Sequence, residues 1–117
     1  MIGKQRQDLQ GLFSVHGAVE ELDFDDEFAE HMAAIKRQFR KHAVSEREIR
    51  EIHAGAPEYF GNEGAERRAP VIMLGPTKAG RIVAVPIEPT HRHGVWRPVT
   101  AFEANAQDRR RYKEMRK

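Results

Sequence analysis

Residues 69–87 read APVIMLGPTKAGRIVAVPI. Two largely apolar runs, 69–75 and 81–87, flank Pro76-Thr77-Lys78-Ala79-Gly80, a segment whose proline and glycine favour a turn. Apolar and β-branched runs bounded by turn residues predict a β-hairpin. This hairpin decides the fold class, because the sequence before it keeps a different period.

Upstream, Phe24, Phe28, Met32, Ile35 and Phe39 recur at spacings of three and four, which predicts a helix from Asp25 to about Arg40. Acidic Asp25, Asp26 and Glu27 open it, and basic Lys36, Arg37, Arg40 and Lys41 close it, so both ends complement the helix dipole. In VSEREIREIHAG (44–55), Ser45 and Glu48 form a capping box, and Val44 and Ile49 occupy the staple positions. Ile49, Ile52 and Ala56 make its apolar stripe, and Gly55 and Pro57 stop it. Residues 1–22 read as a weakly organised N-terminal extension, with at most a short helix ending near Gly11 or Gly17. Residues 23–117 read as a single domain.

Downstream, EYFGN (58–62) and GVWRPVTA (94–101) are strand candidates, the second entered through the loop EPTHRHG (88–94). Pro86 and Pro98 point to edges, strand ends or bulges. A last helix begins near Thr100, where Glu103 completes a second possible capping box; Asn105 with Asp108 is a competing start. The expected class is α+β, with two N-terminal helices, a three- or four-stranded antiparallel sheet and a C-terminal helix. Phe28, Ile35, Phe39, Ile49, Ile52, Ile72, Leu74, Val83, Val85 and Val99 form the expected core.

The chain has 117 residues, enough for one modest core. It has no cysteine, which excludes a disulfide scaffold and thiolate chemistry and suits a reducing cytoplasm. No apolar run reaches the roughly 20 residues of a membrane span, and MIGKQRQDLQGLF lacks the apolar region of a signal peptide. The formal net charge is only +2, but it is unevenly spread. Arg109–Lys117 holds six basic residues and one acidic one, whereas Glu20–Glu30 holds seven acidic residues and no Lys or Arg. Such polarity gives the molecule one anion-attracting end.

RKHAVSEREIREI, VIMLGPTKAGRIVAV and VWRPVTAFEANAQDRRRY together resemble the BrnT family of type II toxins, which has a RelE-like fold. The matching positions are Lys41, His42, Ala43 and Val44; Gly80 and Arg81; Arg97, Thr100 and Ala101; Arg109 and Tyr112. The resemblance covers roughly residues 24–113. The chain departs from the family pattern at Ala43, where Gly is usual, and at Phe102, where Arg is usual. Phe24-Asp25 stands for an opening Trp-Asp, and the first helix carries the extra residues AAIKRQF. The resemblance implies a cytoplasmic ribonuclease toxin that arrests translation and needs no metal or other cofactor. It also implies a DNA-binding antitoxin as partner and a possible dimer within the toxin–antitoxin complex.

Metal-free RNA cleavage needs a base for the ribose 2′-hydroxyl, cations for the phosphate and an acid for the leaving oxygen. Arg81, at a strand mouth, suits a phosphate fork or a salt bridge to Glu66 or Glu88. Arg97 alternates with Val95 and Val99 and needs a carboxylate or a ligand phosphate. His42 is a candidate base or a helix-end residue bonded to a carbonyl. Tyr112 is available to stack on a base or donate a proton. With Arg81 and Arg97, these form the candidate catalytic set, the resemblance placing both arginines near the active surface. Arg109 and Arg111 are candidates for gripping RNA, against a plain basic helix end. His91 and His93 read as an exposed basic loop touching RNA rather than as metal ligands, since no third ligand has suitable spacing. Trp96 reads as half-buried core, with stacking on a base as the alternative. The rival function is a non-catalytic RNA- or protein-binding module with a toxin-like fold, of the kind a phage or mobile element carries.

Overall fold

The computed structural model describes residues 2–4, 6–38, 43–62 and 68–116. In chain order the elements are β1 (Ile2–Lys4), α1 (Arg6–His16), β2 (Glu21–Leu22), α2 (Asp26–Gln38), α3 (Glu46–Ala54), β3 (Glu58–Asn62), β4 (Val71–Pro76), β5 (Ile82–Pro89), β6 (Val95–Pro98), β7 (Phe102–Glu103) and α4 (Ala106–Met115). The class is α+β, with four helices and one mixed sheet among the described residues. The sheet runs β1-β3-β4-β5-β6-β2, and β7 pairs with β5 off that path. None of the described helices is long and apolar enough to cross a membrane.

The hairpin is the spine of the sheet. β4 and β5 pair antiparallel from Val71↔Ile87 to Pro76↔Ile82, and Thr77 N–H donates to Arg81 O across the turn at 2.9 Å. Gly80, at φ +89, takes the left-handed conformation this turn requires. β5 alternates between faces. Val83, Val85 and Ile87 point into a core shared with α1, α2 and α3, while Ile82 and Ala84 point to the opposite face, where Tyr112 of α4 covers them. The acidic start of α2 and the basic α4 therefore lie on opposite faces of the sheet.

Pro86 lies inside β5, where a missing N–H would ordinarily break a ladder. It falls between the stretches of β5 paired to β6 (Ile87–Pro89) and to β7 (Val83 and Ala84). There its carbonyl accepts from Val99 N–H at 2.9 Å. The proline marks the interruption that splits one edge into β6 and β7.

Three expectations need correction. The sheet is mixed and has more strands than the three or four antiparallel ones expected, because β1, β2 and β7 join it and β2 pairs parallel to β6. Two of the added strands have two residues each, too few to show a period. Next, residues 1–22 are not weakly organised where described. Leu9, Leu12 and Phe13 anchor α1 against the main core, and Trp96, fully buried, donates Nε1–H to Gly17 O at 3.1 Å. Gly17 ends α1 at φ +86 so close to Gly94 that a Cβ would sit 2.6 Å from its backbone nitrogen. Finally, α4 starts at Ala106, not near Thr100. Asn105 caps it, its Oδ1 accepting from Asp108 N–H at 2.8 Å, while Phe102 and Glu103 are drawn into the sheet against Ala84 and Val83.

The α3 capping box forms as read, with Ser45 Oγ accepting from Glu48 N–H at 3.1 Å and Ser45 N–H donating to Glu48 Oε1 at 2.9 Å. α2 opens on Asp25, whose Oδ1 accepts from Phe28 N–H at 2.9 Å. Of the expected core, Phe28, Ile49, Ile52, Ile72, Leu74, Val83 and Val85 are buried. Ile35 and Val99 are half-buried, and Phe39 lies outside the described residues.

Candidate functional site

α4 runs along the sheet face opposite the other helices and carries most of the C-terminal charge. Its one buried side chain is Tyr112, whose hydroxyl donates to Ala56 O at 2.8 Å. Burial pushes that phenol above its ordinary pKa, with Arg116 opposing the shift and Glu58 adding to it. Tyr112 is thus a fastening between α4 and the end of α3, with its proton committed to a carbonyl. Arg109 Nη1 donates to Ala104 O at 2.7 Å, within the turn that starts the helix. Arg110 and Lys113 are exposed, and Arg111 places its guanidinium 5.6 Å above the Phe60 ring.

Beside α4 the sheet face is not fully covered. A groove of about 440 Å³ runs between Phe102 on one side and Gln107, Asp108 and Arg111 on the other, floored by Ile72 and Ala84. Phe102 keeps 45% of its surface exposed, although Ala84, its partner across the sheet, is buried.

Arg81 sits in a different setting. It is fastened by Glu103 Oε1 at 3.1 Å, Glu48 Oε2 at 3.2 Å and Ala43 O at 3.0 Å. Burial alone would raise the Glu48 carboxyl, but the Ser45 N–H and the Arg81 charge outweigh it and hold the pKa below the ordinary value. Arg81 therefore ties the α3 capping box to β5 and β7. Its carboxylate partners are Glu48 and Glu103; Glu66 lies outside the described residues.

Arg97 is paired in turn with Glu88 (3.3 Å from Nη1) and Asp25 (3.3 Å from Nε), and Arg68 bridges the same Glu88 to Glu27. The Asp25 contact is ionic only, since the buried Arg97 Nε makes no hydrogen bond. Next to this network His31 Nε2 lies 2.9 Å from Thr100 Oγ1, at a cavity of about 350 Å³ lined also by Glu27, Arg68 and Val99.

The candidate catalytic residues do not share one place. Arg97 pairs with Glu88 at the far end of β5 from Arg81, a span of about seven residues, or roughly 23 Å at strand rise. Tyr112 lies on the face opposite the core, and His42 lies outside the described residues. Of the RNA candidates, Arg109 and Arg111 stay together on α4, whereas His91 and His93 occupy the exposed turn before β6. Among the described residues no group of three His, Asp or Glu is arranged to hold a metal ion.

Sequence reasoning missed Phe102, Arg68 and His31. Phe102 sits in a two-residue strand that no periodicity reveals. His31 had a local signal, standing four residues after Glu27 and three after Phe28, at the edge of the apolar stripe of α2. No family model, curated protein or solved structure matches the chain.

Proposed function

We propose that this protein binds RNA along α4, as a module with a toxin-like, RelE-like arrangement of helices around an antiparallel hairpin. One observation carries the reading. Arg111 lines a groove that holds an exposed aromatic ring, and exposed Arg110 and Lys113 stand on the same helix. Cations beside a ring face are what single-stranded RNA uses: phosphates meet the charges and bases stack. The acidic start of α2, on the opposite face, repels the same ligand and orients its approach. A filter-binding titration of a short single-stranded oligoribonucleotide against salt tests this. Affinity should fall steeply as salt rises, because each phosphate contact releases counterions. Affinity that is flat from low to physiological salt removes the reading.

The second reading is the metal-independent ribonuclease toxin, partnered by an antitoxin, that the BrnT resemblance implies. The His31–Thr100 contact favours it. Thr100, a position of the resemblance, holds an imidazole as candidate base for the 2′-hydroxyl, at a cavity whose Arg68 shares Glu88 with Arg97. Arg68 and Arg97 are the cations at hand, each now held by carboxylates that a phosphate has to displace. Incubating the protein with RNA in the presence of EDTA, with His31→Ala as control, separates the two readings. Cleavage that His31→Ala abolishes makes the chain an enzyme, whereas intact RNA that is nonetheless bound leaves the binding module.

A further inference from the structure

We infer that the groove between β7 and α4 is a seat for one unpaired nucleobase, with Phe102 as its stacking platform. This deepens the RNA-binding reading and rests on it. Four features of the groove lead here.

Its size fits. About 440 Å³ lies within the range of small-ligand sites, roughly 300–1,000 Å³, and exceeds what a single base ring fills. Its floor fits as well. Phe102 pairs with Ala84 in the sheet, so the residue beside the ring is short and leaves the ring face open above Ala84 and Ile72. Phe102 is one of three exposed large hydrophobics among the described residues, with Val15 and Met115, and the only aromatic of the three.

The rim offers hydrogen bonds of both senses. Asn62 donates one Nδ2 hydrogen to Ala69 O at 2.8 Å, which leaves its Oδ1 as an acceptor beside the second N–H. Asn105 Oδ1 accepts from Asp108 N–H at 2.8 Å, and its Nδ2 is the donor at the same rim. One acceptor and one donor at a groove rim match the mixed donor and acceptor edge of a base. Asp108 adds a carboxylate that accepts from an exocyclic amine but repels phosphate, which places the backbone of the ligand toward the cations rather than over Asp108.

Charge then selects the occupant. Arg111 lines the groove, and Arg110 stands three residues from Gln107 on the adjoining stripe of the helix. An apolar protein segment has no use for this rim, whereas a nucleotide uses both ring and cations. A duplex has its base faces buried in the stack and offers none to Phe102, so the seat selects single strands.

The test uses Phe102→Ala and Phe102→Trp, compared with wild type for thermal midpoint and for binding of a short single-stranded oligoribonucleotide and of an RNA duplex. Trp96 is the only native tryptophan and is fully buried, so its emission in wild type serves as the background, and the RNA-dependent change added by a tryptophan at 102 reports on the groove. Phe102→Ala should keep its fold and lose about tenfold or more in affinity for the single strand, with duplex affinity unchanged. Phe102→Trp should retain affinity and have its emission quenched by the single strand but not by the duplex. A folded Phe102→Ala that binds the single strand like wild type, or a Phe102→Trp whose emission ignores bound RNA, overturns the seat while salt-sensitive binding keeps the broader RNA reading. If wild type binds neither RNA, both fall together.

Discussion

Arg81 and Arg110 carry the same charge on the same small fold and occupy opposite electrostatic settings. Arg81 is about four-fifths buried and closed in by Glu48, Glu103 and a carbonyl. Arg110 is exposed on a helix whose neighbouring positions are again basic. Arg97 belongs with the first, held by Asp25 and Glu88; Lys113 belongs with the second. A guanidinium enclosed by carboxylates joins elements of the fold, and a phosphate reaches it only by displacing them. One left at the surface costs little to keep there and is ready for an external anion. The resemblance to a toxin family draws attention to the first group, whereas the RNA-binding proposal draws on the second.

The largest expected effect breaks the enclosed set. Arg81→Ala should cost about 2 kcal/mol of stability, below the 3–5 typical of a fully buried pair because both partners retain some solvent. Loss of the α3–β5–β7 tie, with the Ala43 carbonyl and Glu48 left short of a donor, is the cause. Arg81→Lys should recover only part, since one ammonium does not span three acceptors as the planar fork does. Urea midpoints measure both variants. An Arg81→Ala midpoint matching wild type would show that the enclosure is incidental and make Arg81 a candidate ligand-binding residue again.

A smaller effect sharpens the same contrast through pH. Glu48 has its folded pKa held below the ordinary 4.5 by the Ser45 N–H and Arg81, against the opposing effect of burial. The unfolded chain then binds more protons than the folded one between the two values, so stability rises with pH through that window. The contribution is fully present above 4.5 and is lost as pH falls through the folded value. Glu48→Gln should therefore be less stable at neutrality and show a shallower acid loss than wild type. Stability curves for the two proteins that run parallel from neutral pH into the acid range would mean that the tie carries no electrostatic weight.

How far the sequence shows this arrangement depends on the length of the signal. α2, α3 and the β4–β5 hairpin are legible because Phe28, Met32, Ile49, Ile52 and the 71–87 run each repeat long enough to set a period, and Ser45-x-x-Glu48 is a local capping signal. β2 and β7 are not, since two residues define no period and their pairing is decided by tertiary contact. Thr100-x-x-Glu103 has the form of a capping box, yet Glu103 is taken by Arg81 and the strand pairing of Phe102, so Asn105 caps α4 instead. For the site, the basic character of residues 109–116 shows in the sequence. Arg81 and Arg97 are legible only as residues in need of partners; Glu48, Glu103, Asp25 and Glu88 are brought to them by the fold. Phe102 has no sequence signature, because its exposure arises from the small Ala84 opposite and the groove left by α4.

The smallest effect on the fold belongs to the exposed set, and there the expected change appears elsewhere. Arg110→Gln with Lys113→Gln removes two charges that project into solvent, so stability should move by no more than about 0.5 kcal/mol. Relief of mutual repulsion along the helix favours a change toward higher stability, and Gln keeps the helix propensity of the residues it replaces. RNA binding should respond strongly by comparison. Removing one phosphate interaction lowers the slope of log affinity against log salt by about 0.7 for a single strand, so removing two lowers it by about 1.4. The enclosed set makes the reverse forecast: Arg81→Ala, measured under conditions where it remains folded, should leave that slope unchanged. Neither variant alone separates a folding defect from a binding defect, but the pair does, because stability moves in one of them and the salt slope in the other. A double variant on α4 that keeps the full wild-type slope would place the phosphate interactions elsewhere. An Arg81→Ala variant that lowers the slope would show that RNA displaces Glu48 and Glu103, and the distinction between the two groups of arginines would fail.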